Sequence, residues 1–168
     1  ASIIARCSGE AKKGDLVVMK YLIKKYSGEH LLLILSLTDI DGKSALYLAC
    51  EHGHDDIINL LLKNQHVMQG IKDKYDDRFE TTVLMSAVRN QKLSIETLKK
   101  LIECSIKEGY PLTTVDSDGR GVIHHAAMSG SPDSVELLLN KQSQLIDSTD
   151  HRGNSALLLA LTHRRNDT

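Results

Sequence analysis

The chain has 168 residues, 41% of them apolar, and 21 Lys and Arg against 22 Asp and Glu leave a formal net charge of -1. That length allows one substantial core, and a charge so near zero excludes a global field that would gather nucleic acid or an anionic membrane surface. The three cysteines, Cys7, Cys50 and Cys104, are odd in number and far apart, which argues against a disulfide framework and for a reducing compartment, the cytoplasm or the nucleus.

In chain order, A-K-K-G-D-L-V-V-M-K-Y-L-I (11–23) reads as the end of one helix, a tight turn at Gly14-Asp15 and an amphipathic second helix. The most apolar run, residues 30–37, falls far short of the roughly 20 residues a membrane helix needs. It is expected to be buried packing, with a short helix of its own, and no membrane insertion is expected. Next comes the phrase D-I-D-G-K-S-A-L-Y-L-A-C-E-H-G-H from Asp39, followed by I-I-N-L-L-L (57–62). Related phrases start at Asp77 (D-R-F-E-T-T-V-L-M-S-A-V-R-N-Q-K), Asp116 (D-S-D-G-R-G-V-I-H-H-A-A-M-S-G-S) and Asp150 (D-H-R-G-N-S-A-L-L-L-A-L-T-H-R-R). The partner phrase returns as T-L-K-K-L-I (97–102) and S-V-E-L-L-L (134–139). Self-similarity at a period of this size means stacked supersecondary units, each unable to hide its apolar face alone.

Each unit reads as a turn, a short Ala-rich helix, a tight turn and a longer amphipathic helix. Ala49, Ala87, Ala126, Ala127 and Ala160 let the first helices approach closely, while Leu60 to Leu62 and Leu137 to Leu139 fill the space between layers. Ser131-Pro132-Asp133 supplies an N-cap, a proline at the first helical position and a first-turn acid; Ser94-Ile95-Glu96 and Asp55-Asp56 act similarly. Gly70 and Gly109 lie where they would end second helices prolonged by about a turn.

These phrases resemble the ankyrin repeat, whose D-x-x-G-x-T-P-L-H-x-A-A-x-x-G-H signature is best matched at 39–54 and 116–130. The resemblance covers essentially the whole chain and implies an all-α ankyrin-repeat solenoid of helix-loop-helix units with β-turn fingers. Five degenerate repeats are expected, at 1–38, 39–76, 77–115, 116–149 and 150–168, the first and last incomplete, in one domain cut from a longer protein. The family's Pro is replaced by Ala45, Val83, Val122 and Ala156. No copy keeps both the Thr/Ser and the His that bond at the helix start: Ser44 faces Tyr47, Thr82 faces Met85, Gly121 faces His124 and Ser155 faces Leu158. At about 0.5–1.5 kcal/mol per lost bond, modest stability follows.

Two clusters invite a chemical reading. Residues 49–56, A-C-E-H-G-H-D-D, concentrate groups that hold zinc or move protons, but in the repeat register Gly53 breaks the helix between Cys50 and His54. His124 and His125 point about 100° apart on a helix and cannot grip one ion together; one is expected to cap and the other to lie inside. The Asp39-Ile40-Asp41-Gly42 and Asp116-Ser117-Asp118-Gly119 stretches lack the outer ligands of a calcium loop, so their acids are expected to accept hydrogen bonds in the turns. No phosphate-loop, dinucleotide or nucleophile-elbow motif occurs, and neither an enzyme, a metal site nor a cofactor is expected.

The resemblance implies that finger tips and first-helix ends grip another protein. The matching positions are Ile40, Asp41, Lys43, Glu51 and His52; Arg78, Phe79, Thr81, Arg89 and Asn90; Ser117, Asp118, Arg120, Met128 and Ser129; and His151, Arg152 and Asn154, flanked by Lys12, Lys13, Thr162 and His163. Phe79, the chain's single Phe, stands beside Arg78 at a finger tip, where it serves either as a contact anchor or as a brace on Tyr75 or Met85. Lys43, Arg78, Arg89, Arg120 and Arg152 form a basic stripe interleaved with Asp41, Glu51 and Asp118. The expected function is a non-catalytic protein-binding module, monomeric in isolation. The alternative is a regulatory segment of a larger enzyme, ion channel or secreted bacterial effector, packed on a neighbouring domain and, for an effector, working in the host cytosol.

Overall fold

The computed structural model of the chain describes residues 3–26, 30, 35, 38–63 and 81–166. Among them, nine α-helices follow one another in a repeating pattern: α1 (Ile3–Lys13), α2 (Leu16–Lys25), α3 (Ala45–His52), α4 (Asp55–Leu62), α5 (Val83–Arg89), α6 (Ile95–Lys107), α7 (Val122–Ser129), α8 (Pro132–Lys141) and α9 (Ala156–Asn166). A 3-10 turn, Ser143–Asp147, follows α8. The odd-numbered helices pack on one another in order, the even-numbered ones from α2 to α8 do the same, and each pair joins the two rows. This is an all-α solenoid, and none of the helices described is long and apolar enough to cross a membrane.

Local chemistry sets the element boundaries. Ser44, Thr82, Ser94 and Ser131 each accept a backbone N–H three residues on, satisfying a donor that the first helical turn leaves unpaired. At Gly121 the cap has no side chain, and His124 compensates: its Nδ1 accepts the Gly121 N–H at 3.0 Å while Nε2 donates to the Ser148 carbonyl at 3.2 Å. Glycine ends α3 and α7, with Gly53 and Gly130 at φ of 76° and 73°, backbone that a side chain disfavours. At the end of α6, Gly109 and Tyr110 return their N–H groups to Ile106 and Ser105, closing a Schellman motif at the glycine the sequence nominated.

Each of the three described fingers is a turn closed by a single antiparallel bridge, Thr38 to Ser44, Val115 to Gly121 and Thr149 to Ser155. One carboxylate oxygen of its leading Asp accepts two backbone N–H groups: Asp39 from Asp41 and Lys43, Asp116 from Asp118 and Arg120, Asp150 from Arg152 and Asn154. These acids are therefore structural.

The core runs as columns through the stack. Leu22, Leu61, Leu101 and Leu138 occupy the same position in successive second helices, and all four are buried. Ala49, Ala87 and Ala126 are buried between the first helices, where a larger side chain would push the layers apart. Polar groups tie neighbouring repeats together: the His54 ring donates to the Lys12 carbonyl at 2.9 Å, and the Asn90 amide reaches the Cys50 and Glu51 carbonyls at 3.1 and 2.8 Å. Ser94 donates to Asp55 at 3.0 Å.

One boundary differs from the sequence reading. Helix α4 ends at Leu62 with Lys63 as its C-cap, and Gly70, the expected terminator, lies outside the described residues, as do the finger at 77–80 and Tyr75. Of the run 30–37, His30 and Leu35 are described, both helical, with Leu35 buried. The 3-10 turn at 143–147 was not anticipated; it brings Leu145 into the core.

Candidate functional site

Where the fingers meet the C-terminal ends of the first helices, two grooves adjoin. One, of about 750 Å³, lies between α3 and α5 and is lined by Tyr47, Glu51, His52, Arg89 and Lys92 among others. The second, of about 330 Å³, lies between α5, α7 and α9 and includes Asp118, Arg120, Met128 and His163. Arg89, the last residue of α5, lines both. The short first helices create this arrangement: each stops after two turns, so its terminal side chains line a channel instead of entering the core.

Many of the candidate residues in and around these grooves are held by internal bonds. Lys43 Nζ sits 2.7 Å from Glu51 Oε1 and 5.3 Å above the Tyr47 ring. His52 hydrogen-bonds to the Leu48 carbonyl at 3.0 Å. Arg120 lies 3.2 Å from Asp118 through Nη1 and 3.7 Å from Asp150 through Nε. The Ser129 hydroxyl lies within hydrogen-bond reach of the Val88 and Ala126 carbonyls. Asn154 donates its side-chain amide to Asp150, and His151 donates its backbone N–H to the Asp118 carbonyl. Thr81 lines the second groove but is 2% exposed, with its hydroxyl 2.9 Å from Tyr47 Oη, because the Tyr47 phenol needs a partner once buried. Arg78 and Phe79 lie outside the described residues. Ile40, at the tip of its finger, is fully exposed, and Asp41, Ser117 and Arg152 are exposed beside their turns.

The sequence reading missed Tyr47, Gln91, Lys92, Asp116 and His125. Gln91 and Lys92 directly follow the nominated Asn90, and adjacency was the available signal. The Gln91 amide donates to the Ser129 carbonyl. His125 Nε2 donates to Asp116 Oδ2 at 2.8 Å, both groups being buried; that carboxylate therefore holds the finger turn with one oxygen and helix α7 with the other.

The site's titration chemistry is structural. Burial depresses the His125 pKa below its ordinary value, the hydrogen bond and charge of Asp116 push it back up, and Arg89 and Arg120 depress it further. A neutral imidazole with its donor committed is a brace. Because the unfolded chain binds this proton more readily, the stability linked to His125 is complete above its unfolded pKa near 6.5 and is lost as pH falls through the lower folded value. Chemical denaturation between pH 7 and 5 is expected to give a falling midpoint that flattens in His125→Gln; a wild-type midpoint that rises on acidification contradicts this. Asp150 lies below the usual carboxylate range because, although burial raises it, hydrogen bonds from Asn154 and Arg152 and the Arg120 charge outweigh that.

Among the described residues, no three His, Cys, Asp or Glu side chains converge as a metal site would require. Cys50 is fully buried and its thiol pKa is pushed far up by that burial, with Asp55 adding to the rise, while His54 turns to Lys12 across the Gly53 break. Burial also raises the Cys7 thiol to about 11. All three cysteines are free.

Comparison with known proteins gives a consistent picture. A family model described as ankyrin repeats (3 copies) matches residues 9–109 and 84–168. The chain is 26% identical over 133 residues to the nuclear factor NF-kappa-B p105 subunit of Gallus gallus, covering 77% of this chain and 13% of that protein. It is 30% identical over 134 residues to a transient receptor potential cation channel subfamily A member 1 homolog of Caenorhabditis elegans, covering 80% of this chain and 10% of that protein. An ankyrin repeat-containing protein of Schizosaccharomyces pombe is 29% identical over 119 residues, 71% of this chain and 48% of its own length. The chain thus spans less than half the length of each of these relatives.

Proposed function

The chain belongs to the ankyrin-repeat family, and from that premise we propose that it is a non-catalytic module whose paired grooves and finger tips hold a partner protein. Ankyrin repeats serve in general as protein-interaction modules, and what remains to be assigned is the surface. The observation that carries the assignment is the continuity of the two grooves through Arg89. A channel shared by four consecutive first helices offers a binding segment more contact than any one repeat can, with a polar rim around a few larger side chains. Tyr47 and Met128 supply apolar lining, and Ile40 adds an exposed apolar contact at a finger tip.

A second reading is favoured by the much greater length of the relatives, which include a channel homolog: the same grooves hold a neighbouring domain of the full protein. Both readings put the occupant on one face, so one experiment tests them. A photo-reactive p-benzoylphenylalanine at Met128 is expected to form a discrete adduct in cells, whereas the same group at exposed Lys99 of α6 forms none. An intermolecular adduct identifies a separate partner and an intramolecular one a neighbouring domain. Equal labelling from both positions contradicts the assignment of the face.

A further inference from the structure

Resting on that reading, we propose that the groove between α3 and α5 recognises an acidic segment of its partner, with a carboxylate seated on Arg89 and Lys92 beside it. The basic stripe legible in the sequence is interleaved with acids, and the structure accounts for most of them. Glu51 is paired with Lys43 at 2.7 Å, Asp118 with Arg120 at 3.2 Å, and the Asp116 carboxylate accepts His125 and two finger N–H groups. Asp41 projects from its finger tip and lines neither groove.

Among the described residues, neither the Arg89 guanidinium nor the Lys92 ammonium has a hydrogen bond or ion pair, and both line the same groove. Glu51 is that groove's acid, and Lys43 already neutralises it. Two cations in excess, with an aromatic wall from Tyr47, suit an extended acidic peptide better than a basic one. Arg89 also lines the adjoining groove, so its cation stands where the two meet. Arg89 is suited to the role because its planar fork matches a carboxylate bidentately.

The test uses a fluorescein-labelled Gly-Ser-flanked tetraglutamate peptide, with tetraglutamine and tetralysine counterparts, in anisotropy titrations at low salt. Tetraglutamate is expected to bind in preference to the other two. Arg89→Glu, and Arg89→Gln as a second variant, are expected to weaken it about tenfold or more, the loss typical of one charge-assisted hydrogen bond. Lys99→Glu on the outer row, an equal charge reversal, should leave it within about twofold, below the ~1.4 kcal/mol that a tenfold change represents. Equal weakening by Lys99→Glu, or tetraglutamate binding no tighter than tetraglutamine, overturns the proposal. A photo-adduct from position 128 that survives Arg89→Glu undiminished also overturns the acidic class while leaving the binding face in place, so the two readings fail separately.

Discussion

Replacing Leu101 by Ala is expected to lower the unfolding free energy by about 2–5 kcal/mol, the range for removing a fully buried leucine where the surroundings relax only in part. Leu101 is fully buried in α6, and α6 packs on α4 before it and α8 after it as well as on α5 of its own repeat. The hole therefore opens at two inter-repeat interfaces at once. Small domains hold only about 5–15 kcal/mol in total, so the loss is a large share of what the stack has. Urea unfolding followed by circular dichroism measures it; a change under about 1 kcal/mol would mean that Leu101 does not fill the space between layers.

The second large effect is expected at a finger. Gly119 and Gly153 both have φ of 78°, yet a Cβ on Gly119 would lie 2.7 Å from the His151 backbone nitrogen, whereas one on Gly153 meets nothing within 4 Å. Alanine at either position bears the left-handed backbone cost of roughly 1–2 kcal/mol. At Gly119 it must also displace the next finger, whose His151 N–H bonds the Asp118 carbonyl at 2.9 Å, adding an overpacking cost of about 1–3 kcal/mol. Thermal denaturation of the two variants is expected to place Gly119→Ala clearly below Gly153→Ala. Equal melting temperatures would show that the fingers are not in register contact.

The parts of the fold that were legible in sequence share one property: they recur. The D-x-x-G turns, the alanines between first helices and the leucine column recur together in the same order at similar intervals, so each weak signal strengthens the others, and the Ser131-Pro132-Asp133 start is a local rule needing no partner. What escaped was either too short or too distant. The turn around Leu145 holds two adjacent apolar residues, Leu145 and Ile146, among polar ones, a pattern too short to carry a periodicity. His125 and Asp116 are nine positions apart across a turn and a helix start, and nothing in either residue announces the pair. Asn90 illustrates a third case. It stands at the end of α5, where α3 and α7 end in glycine, and its amide reaches back to the preceding repeat, so a side chain read as surface is a tie between layers.

The candidate surface was legible to a similar degree. Repeat register placed Arg89, Arg120, Met128 and the finger tips on one face, but register cannot say which of them are already satisfied. Lys43, Arg120, Ser129 and Asn154 proved to be held by internal partners, which leaves less of the face available than its residue count suggests and concentrates the free charge at Arg89 and Lys92.

All of these arguments depend on layers that stabilise one another, and native-state hydrogen exchange of Leu101→Ala tests that dependence most directly. Amides of α4 and α8 are expected to lose protection together with those of α6, because each neighbour relies on the damaged layer to cover its apolar face. Loss of protection confined to α6, with α4 and α8 exchanging as in the wild type, would contradict the account.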